Sequence, residues 1–270
     1  MTRVGFIGLG NIGKPMATRL ASSVAVWAYD VVPEAVEATG ATLGASVADV
    51  ASRVDVLCVM VRDDDQVRAV AAEARTVVHP PVLVIHSTVA PSTPAEIAAT
   101  GLRVLDAPVS GGPMGAADGS LAIMVGGSEE HFAVAEPVLQ RMGSRVVHAG
   151  PLGAGTKMKL ARNLIHFVAF TAVTEAQRLA EASGLDLVAL GEVVRHTDAI
   201  TGGPGAIMYR DTTAPLAPDD FWHGVFDHVR ALGEKDLSFA IELADTLGVD
   251  LPLAQLAREN LAKGLGLSHE

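Results

Sequence analysis

The chain has 270 residues, of which 49% are hydrophobic and 19% are charged, so it can bury a sizeable core and is not globally disordered. Its formal net charge of -11 argues against nucleic acid as the main partner, because binding to phosphates needs a basic patch. The single cysteine, Cys58, excludes an intrachain disulfide and a cysteine metal cluster, and this favours a reducing compartment.

Neither the start of the chain nor its most apolar window predicts a membrane or export signal. Met1-Thr2-Arg3 leads straight into a strand pattern, which leaves no room for a signal peptide. The window Leu160–Val173 contains an arginine, an asparagine and a histidine, so it falls short of the roughly 20 apolar residues of a membrane span. We therefore expect a cytoplasmic protein with no membrane partner.

The first half of the chain alternates short apolar runs with helical patterns. The predicted strands are Val4–Ile7, Val24–Tyr29, Val54–Val61, Val82–Ile85, Val104–Leu105, Leu121–Val125 and Val146–Val147. The predicted helices are Asn11–Ser22, Asp64–Ala74, Thr93–Ala99 and Glu129–Arg141, the last of them capped by Ser128. Strict alternation predicts right-handed strand–helix–strand units and a mainly parallel sheet.

The second half predicts helices only. From Thr156 onward the predicted helices are Lys157–Ser183, Leu187–His196, Lys235–Leu247 and Leu253–Leu261, and a Gly- and Pro-rich loop fills the stretch between His196 and Phe221. We expect an α/β Rossmann-type dinucleotide-binding domain over residues 1–155. An all-helical domain over residues 156–270 would follow it, joined by the long helix.

A glycine-rich turn marks the dinucleotide site. The run Gly8-Leu9-Gly10-Asn11-Ile12-Gly13 follows a predicted strand and opens a predicted helix, which is the context that a G-x-G-x-x-G motif requires. Its glycines allow a tight turn and a close approach of pyrophosphate to the helix N-terminus. Asp30 ends the next strand, where a carboxylate accepts hydrogen bonds from the adenosine ribose. The alternative is that the glycines only shape a turn and that Asp30 caps a helix.

Asp30 also predicts the choice of cofactor. A carboxylate at this position repels the 2′-phosphate of NADP, and the following Val31-Val32-Pro33-Glu34 supplies no basic side chain to receive that phosphate. The sequence therefore favours NAD.

Three further segments could carry chemistry. Asp106–Gly112 follows a short strand, and its small residues form either a carboxylate-binding concavity or a plain turn. Val61 and Arg62 end a central strand, where the ligand crevice of an open α/β sheet lies. At the domain junction, Lys159 and Asn163 share one helix face.

The role of the junction lysine is open at this level. A Lys159 turned toward the cleft would have a lowered pKa suited to acid–base work, but spacing alone favours an exposed lysine in a surface ion pair. The pair Lys235-Asp236, which opens a predicted late helix, reads as a solvated ion pair.

Four ordered blocks of the chain resemble the β-hydroxyacid dehydrogenase family, which includes 3-hydroxyisobutyrate dehydrogenase and tartronate semialdehyde reductase. The blocks are Gly8–Gly13 with Met16-Ala17, Asp106–Gly112, Gly153–Asn163 and Lys235-Asp236-Leu237. The resemblance implies a C-terminal domain like that of 6-phosphogluconate dehydrogenase, and a homodimer or homotetramer. The Ala-rich helix around Ala161–Ala182 also favours a homo-oligomer, since it must hide apolar faces.

The resemblance also assigns roles to residues. It implies that Lys159 is the general acid/base and that Asn163 orients the substrate. Ser110, Gly111 and Gly112 would bind the substrate carboxylate, Thr88 would contact the cofactor, and Lys235 would reach the cofactor or the substrate. No metal is implied.

The function that follows is NAD-dependent hydride transfer involving a small 3-hydroxy acid such as 3-hydroxyisobutyrate. The alternatives are a reductase of small semialdehydes, such as tartronate or succinic semialdehyde, and a non-catalytic NAD-binding scaffold. The chain departs from the family pattern at Val61-Arg62, where Leu-Pro is usual, at His228, where Phe is frequent, and over residues 202–220, which match nothing. These departures leave the substrate open.

Overall fold

The computed structural model describes residues 2–267 and contains a nine-stranded sheet. The strands are β1 (Val4–Ile7), β2 (Val26–Tyr29), β3 (Thr42–Leu43), β4 (Val56–Val59), β5 (Val82–Ile85), β6 (Val104–Asp106), β7 (Val109–Ser110), β8 (Ala122–Gly126) and β9 (Arg145–Gly150). The order across the sheet is β3-β2-β1-β4-β5-β6-β8-β7, and β9 pairs with β8. The pairs that join β1 to β6 are all parallel, whereas β8 runs antiparallel to β6 and β7. The predicted mainly parallel sheet is confirmed.

Helices connect these strands and cover the sheet. They are α1 (Gly13–Ala21), α2 (Pro33–Glu37), α3 (Val47–Ala51), α4 (Asp64–Ala74), α5 (Thr93–Ala98), α6 (Gly112–Asp118) and α7 (Glu129–Leu139). Ser128 caps α7 as expected, with its Oγ accepting from the N–H of His131. The predictions missed α2, α3, α6, β3 and β7, because elements of two to seven residues are too short to show a period.

The central strands are buried on both faces, as their unbroken apolar runs predict. In β4, Cys58 packs on one face of the sheet and Leu57 on the other, and in β5 Val84 and Leu83 divide in the same way. Burial raises the pKa of the Cys58 thiol to about 12, so this group is protonated and structural.

The second half is helical over its described residues, 156–267. Its elements are α8 (Ala154–Ala182), α9 (Leu187–Thr201), one 3-10 turn (Gly203–Gly205), α10 (Phe221–Leu247) and α11 (Pro252–Gly264). Two of the predicted helix boundaries are wrong by five residues or more. The α9 helix continues past His196 to Thr201, and α10 begins at Phe221 and not at Lys235. Asp220 caps α10 by accepting from the N–H of Trp222, and two glycines in its first half obscured the pattern.

The chain divides into two compact units, Met1–Arg162 and Asn163–Glu270, so the boundary falls inside α8. In the second unit α10 packs on α11, around a small core that includes Phe226 and Leu265. Buried Glu175 of α8 accepts from the N–H groups of Leu253 and Ala254 at the start of α11. Among the described helices, none is both long and apolar enough to cross a membrane.

Candidate active site

The glycine-rich turn between β1 and α1 leaves room for a ligand. Gly8 has a φ of +89°, and a Cβ added there would overlap the carbonyl of Met60. A Cβ on Gly13 would overlap the carbonyl of Gly8, which shows why helix and strand can lie so close. A Cβ on Gly10, in contrast, would meet nothing within 4 Å, so this backbone is open to an approaching group. In the first turn of α1 the N–H groups of Lys14 and Met16 donate to the carbonyls of Gly10 and Ile12, and Pro15 has no N–H, so a phosphate would be held by the amides of the glycine turn that precedes them.

A cavity of about 700 Å³ opens beside this turn. Its walls come from the glycine turn, the end of β2, the segment after β4 and one face of α4. The lining residues are Ile7, Gly8, Gly10, Asn11, Ile12, Gly13, Tyr29, Asp30, Val31, Val47, Met60, Val61, Arg62, Gln66, Ala69, Val70 and Glu73. The cavity thus brings together most of the residues predicted to bind the dinucleotide, and its size and open backbone fit the adenosine and pyrophosphate portion.

Asp30 lines this cavity and also organises it. Its Oδ2 accepts from the N–H of Leu9 at 2.6 Å, and its Oδ1 accepts from the N–H of Val32 at 2.9 Å. The carboxylate therefore fixes the glycine turn against the end of β2. Each oxygen keeps lone pairs for a ribose hydroxyl, so a ligand contact and a structural role are compatible.

Arg62 brings a cation to the same cavity. Its guanidinium is exposed, and its Nε donates to Asp63 Oδ2 at 3.1 Å. The sequence predicts Arg62 at the ligand crevice as a cofactor-binding residue, but the run that follows Asp30 gives no sign that this guanidinium and the carboxylate of Asp30 line the same cavity.

Two residues that directly follow β5, His86 and Ser87, support the site although the sequence pattern does not predict it. The hydroxyl of Ser87 accepts from the N–H of Val61 at 2.9 Å and donates to the carbonyl of Val61 at 2.7 Å, which holds the cavity loop in place. His86 is fully buried, and its Nδ1 donates to the carbonyl of Ala107 at 2.8 Å. Burial lowers the pKa of His86 to about 4, so the ring is neutral and acts as a tether. Thr88, predicted to contact the cofactor, follows these residues and is exposed.

Asp106 anchors the helix that carries the predicted catalytic lysine. It is fully buried at the end of β6, where its Oδ1 accepts from the N–H of Gly153 at 2.7 Å and its Oδ2 from the N–H of Thr156 at 2.6 Å. The carboxylate thus satisfies donors at the start of α8 and complements the positive end of the helix dipole. A Cβ on Gly126 would overlap Asp106 Oδ1, so a glycine is needed beside it.

Lys159 lies one turn further along α8 and is buried, with 8% of its surface exposed. Its Nζ donates to the carbonyl of Val109 and to Ser110 Oγ, each at 2.7 Å. Burial is the main cause that lowers the pKa of Lys159, and the positive charge of Arg162 is the second. Lys159 is therefore buried, whereas its spacing in the sequence favours an exposed lysine in a surface ion pair.

The substrate-loop residues follow directly. Ser110 is half-buried, while Gly111 and Gly112 are exposed and have φ values of +132° and +63°. Both glycines adopt a backbone conformation that residues with a Cβ rarely adopt. The loop thus places the Ser110 hydroxyl beside the amine of Lys159, followed by the exposed backbone of two glycines, all within the first compact unit.

Two family models match the chain in succession. The NAD-binding domain of 6-phosphogluconate dehydrogenase matches residues 3–150, and the model described as NAD-binding of NADP-dependent 3-hydroxyisobutyrate dehydrogenase matches residues 153–267. The chain belongs to the β-hydroxyacid dehydrogenase family. It is therefore an oxidoreductase with a Rossmann-type domain for a nicotinamide dinucleotide, followed by a helical domain, and the predicted fold is confirmed.

Relatives in this family differ in the substrate that they are named for. A 3-hydroxyisobutyrate dehydrogenase of Pseudomonas aeruginosa is 35% identical over 282 residues, which cover 96% of this chain and 90% of the relative. An NAD-dependent L-serine dehydrogenase of the same organism is 34% identical, covering 95% and 90%. The crystal structure of a Mycobacterium avium oxidoreductase is 50% identical and covers all of both chains with a TM-score of 0.95. Because the identities to these two dehydrogenases differ by only one percentage point, overall similarity does not choose the substrate.

The remaining family positions lie in the second compact unit. Asn163 follows Lys159 by one turn of α8. Lys235 lies in the middle of α10, its side chain is 54% exposed, and its Nζ pairs with Asp236 Oδ1 at 3.2 Å. The surface ion pair expected for Lys235 is therefore present, although not at a helix start.

Proposed function

We propose that the chain is an NAD-dependent dehydrogenase that oxidises a small 3-hydroxy acid, such as 3-hydroxyisobutyrate, with Lys159 as the general acid/base. The observation that carries this proposal is the buried amine of Lys159, 2.7 Å from both Val109 O and Ser110 Oγ. A lysine that is desolvated and fixed by two acceptors is suited to proton transfer, whereas a solvated lysine is not.

The lowered pKa of Lys159 supports a role in both directions of the reaction. In oxidation the neutral amine accepts the proton of the substrate hydroxyl, and in reduction the ammonium returns it. Both steps need an amine that titrates below the ordinary lysine range, and burial together with Arg162 lowers the pKa in that sense. General acid–base catalysis of this kind contributes about 10²–10⁴-fold in rate.

The loop that begins at Ser110, one of the two acceptors of the Lys159 amine, supplies a site for the substrate carboxylate. Ser110, Gly111 and Gly112 would bind the carboxylate through backbone N–H groups and the Ser110 hydroxyl. Asn163 would orient the substrate, and Lys235 would contact the cofactor or substrate. A carboxylate held here and a hydroxyl at Lys159 favour an acid with the two groups separated by a short carbon chain.

NAD is the proposed cofactor. The residues Gly8–Gly13, Asp30, Val61, Arg62 and Thr88 would hold it, and when bound its nicotinamide accepts a hydride from the carbinol carbon. The carboxylate of Asp30 in the cavity supports NAD over NADP, because it would repel a 2′-phosphate. Arg62 in the same cavity acts in the opposite sense, although its guanidinium is already paired with Asp63.

The experiment is NADH formation by the purified protein with a panel of acids. The panel contains 3-hydroxyisobutyrate, L-serine and other 3-hydroxy acids, with 2-hydroxy acids of the same size as controls for the position of the hydroxyl. Turnover restricted to 3-hydroxy acids supports the proposal. Efficient oxidation of NADH with tartronate or succinic semialdehyde, without turnover of the acids, supports the reductase alternative. NAD binding without turnover of any compound supports the scaffold alternative.

A substitution tests the role of the lysine. Lys159→Ala should lower kcat and kcat/KM together by about 10²–10⁴-fold and leave NAD affinity nearly unchanged. Lys159→Arg should not restore turnover, because a guanidinium does not release its proton near neutral pH. Exposed Lys157 on the same helix provides the control, Lys157→Ala, which should retain activity. If Lys159→Ala turned over normally while Lys235→Ala did not, the catalytic role would belong to Lys235.

The remaining proposals concern compartment and partners. We propose a cytoplasmic enzyme whose partners are its small hydroxy-acid substrate and its cofactor, and the buried, reduced Cys58 is compatible with this location. Cell fractionation with an antibody to the protein tests it.

A further inference from the structure

Two adjacent side chains, His86 and Ser87, connect the two loops of the candidate site, and both are buried, with 1% and 3% of their surface exposed. The Ser87 hydroxyl is bonded to both backbone groups of Val61, to the N–H at 2.9 Å and to the carbonyl at 2.7 Å. His86 Nδ1 donates to the carbonyl of Ala107 at 2.8 Å. Val61 lines the cavity proposed for the dinucleotide, and Ala107 leads to the two acceptors of the Lys159 amine. The pair therefore links the proposed cofactor site to the proposed acid/base.

The position of the pair in the sheet explains why side chains make these connections. The strand before them, β5, lies between β4 and β6, and in an open α/β sheet ligands bind at the carboxyl ends of such strands. Backbone bonds join His86 N to Val59 O at 2.8 Å and Ala107 N to Ile85 O at 2.7 Å. Directly beyond them, the side chain of Ser87 reaches the loop after β4 and that of His86 reaches the loop after β6.

The imidazole of His86 is suited to holding a position and not to proton transfer with a substrate. The ring is buried and lies parallel to that of Phe6 in β1, with centroids 6.4 Å apart. Because a carbonyl oxygen only accepts, the proton of the neutral ring is on Nδ1. The buried Nε2 has no hydrogen-bond partner among residues 2–267. Within the described chain, the ring thus uses one polar contact, and any side chain with an N–H donor at the place of Nδ1 could supply it.

We propose that His86 and Ser87 are positioning residues that together set the separation between the cofactor loop at Val61 and the loop that holds Lys159. This inference rests on the proposed function, because hydride and proton transfer need the dinucleotide and Lys159 in one fixed geometry. A misplacement of about 1 Å caused by a distant substitution can cost about 10²-fold in rate. The role differs from that of Asp106, which fixes the helix that carries Lys159 and has no contact with the cofactor loop.

Two substitutions of His86 separate positioning from simple packing. His86→Leu is close to histidine in size but has no donor, so it should lower kcat about 10²-fold and leave KM for NAD nearly unchanged. His86→Asn is smaller, but its Nδ2 can take the place of the imidazole Nδ1, so it should recover most of the lost kcat. If the ring only filled space, the order would reverse, because Asn leaves a cavity and Leu does not.

His79→Leu is the matched control for these variants. His79 is exposed and precedes β5, at the end of the strand away from the candidate site. This variant should keep the kcat and KM of the wild type. Circular dichroism and urea unfolding of every variant ensure that turnover is compared between folded proteins. Equal turnover of His86→Leu and the wild type overturns the proposal, and so does a His86→Asn that is slower than His86→Leu.

A double variant tests whether the two side chains act as one connection. Ser87→Ala removes both bonds to Val61, so it should lower kcat about 10²-fold and also raise KM for NAD. Loss of either end already frees the two loops from each other, so His86→Leu combined with Ser87→Ala should again cost about 10²-fold. Two independent supports would instead multiply to a loss of about 10⁴-fold, and that result overturns the proposed joint role.

Nitrogen NMR of the wild-type protein keeps the proposal testable if a variant does not fold. Since burial lowers the pKa of His86 to about 4, the ring should remain neutral near pH 7 with its proton on Nδ1. A proton on Nε2 instead would remove the bond to Ala107 and overturn the proposal. A wild-type protein that turns over no hydroxy acid refutes the proposed function, whereas wild-type turnover that His86→Leu leaves intact refutes only the positioning role.

Discussion

Replacing Asp106 by Asn should destabilise the protein and impair catalysis although Asp106 is not placed in contact with the substrate. In the native chain its two carboxylate oxygens accept from Gly153 N at 2.7 Å and Thr156 N at 2.6 Å. Asparagine has the same shape but only one acceptor oxygen, so its NH2 group would face the N–H group of either Gly153 or Thr156. The start of α8 then has one backbone N–H that is buried and unpaired.

The magnitude follows from these contacts. A hydrogen bond to a charged group contributes about 1.5–3 kcal/mol, and an unsatisfied buried donor costs about 1–3 kcal/mol. Loss of the negative charge at the helix N-terminus removes up to about 2 kcal/mol more. The native carboxylate is itself desolvated, which offsets part of this sum. We therefore expect a net loss of about 3 kcal/mol in the free energy of unfolding.

Urea unfolding followed by circular dichroism measures this loss, and the exposed Asp118 of α6 offers the control Asp118→Asn. Asp106→Asn should lower the unfolding midpoint and also lower kcat, because Lys159 lies one turn beyond Thr156 on the helix that the carboxylate anchors. NAD affinity should change little, since the cavity proposed for the dinucleotide lies at the ends of β1, β2 and β4, whereas Asp106 ends β6. Equal stability of the two variants, or full turnover by Asp106→Asn, would refute the reasoning.

Three other outcomes follow from the described contacts. The rate of oxidation should rise with pH through a pKa below the ordinary lysine value, since the neutral amine of Lys159 is the proton acceptor. Arg162→Gln should raise this pKa, because it removes a cation that lowers it. A pH profile of kcat/KM that is the same in the wild type and in Arg162→Gln contradicts the assignment. The ratio of kcat/KM for NAD over NADP should exceed one and fall in Asp30→Ser, and a native preference for NADP would refute the role of Asp30. Glu175→Gln should lower the stability of the helical unit by about 2 kcal/mol, measured by urea unfolding against the exposed control Glu181→Gln, because one of two N–H groups at the start of α11 loses its acceptor.

The sequence predicts the long or strongly patterned elements well. The predicted boundaries of α4 and β5 coincide with those in the structure, since one has a capping carboxylate at Asp63 and the other is an unbroken apolar run. The start of α10 is wrong by fourteen residues because Gly224 and Gly233 interrupt its apolar period. A helix packed on a neighbour tolerates glycines that a propensity argument takes for breaks.

The candidate site is only partly visible in the sequence, and distance along the chain is the reason. The glycine turn and Asp30 are local signals. Burial of Lys159, in contrast, depends on acceptors 49 and 50 residues away, and Arg62 reaches the wall of Asp30 only because β4 and β2 flank β1 in the sheet. Such contacts are set by the topology, which no spacing rule reports.

The α8 helix combines a structural and a chemical function that can be separated by position. Its start is fixed by the buried carboxylate of Asp106, and its second turn carries Lys159. Further along, Glu175 uses the same device as Asp106, because both of its oxygens accept from the first turn of another helix, α11. Damage at either carboxylate should therefore appear first as lost stability, and damage at Lys159 as lost turnover in a folded chain. One set of variants along a single helix can therefore separate folding from chemistry.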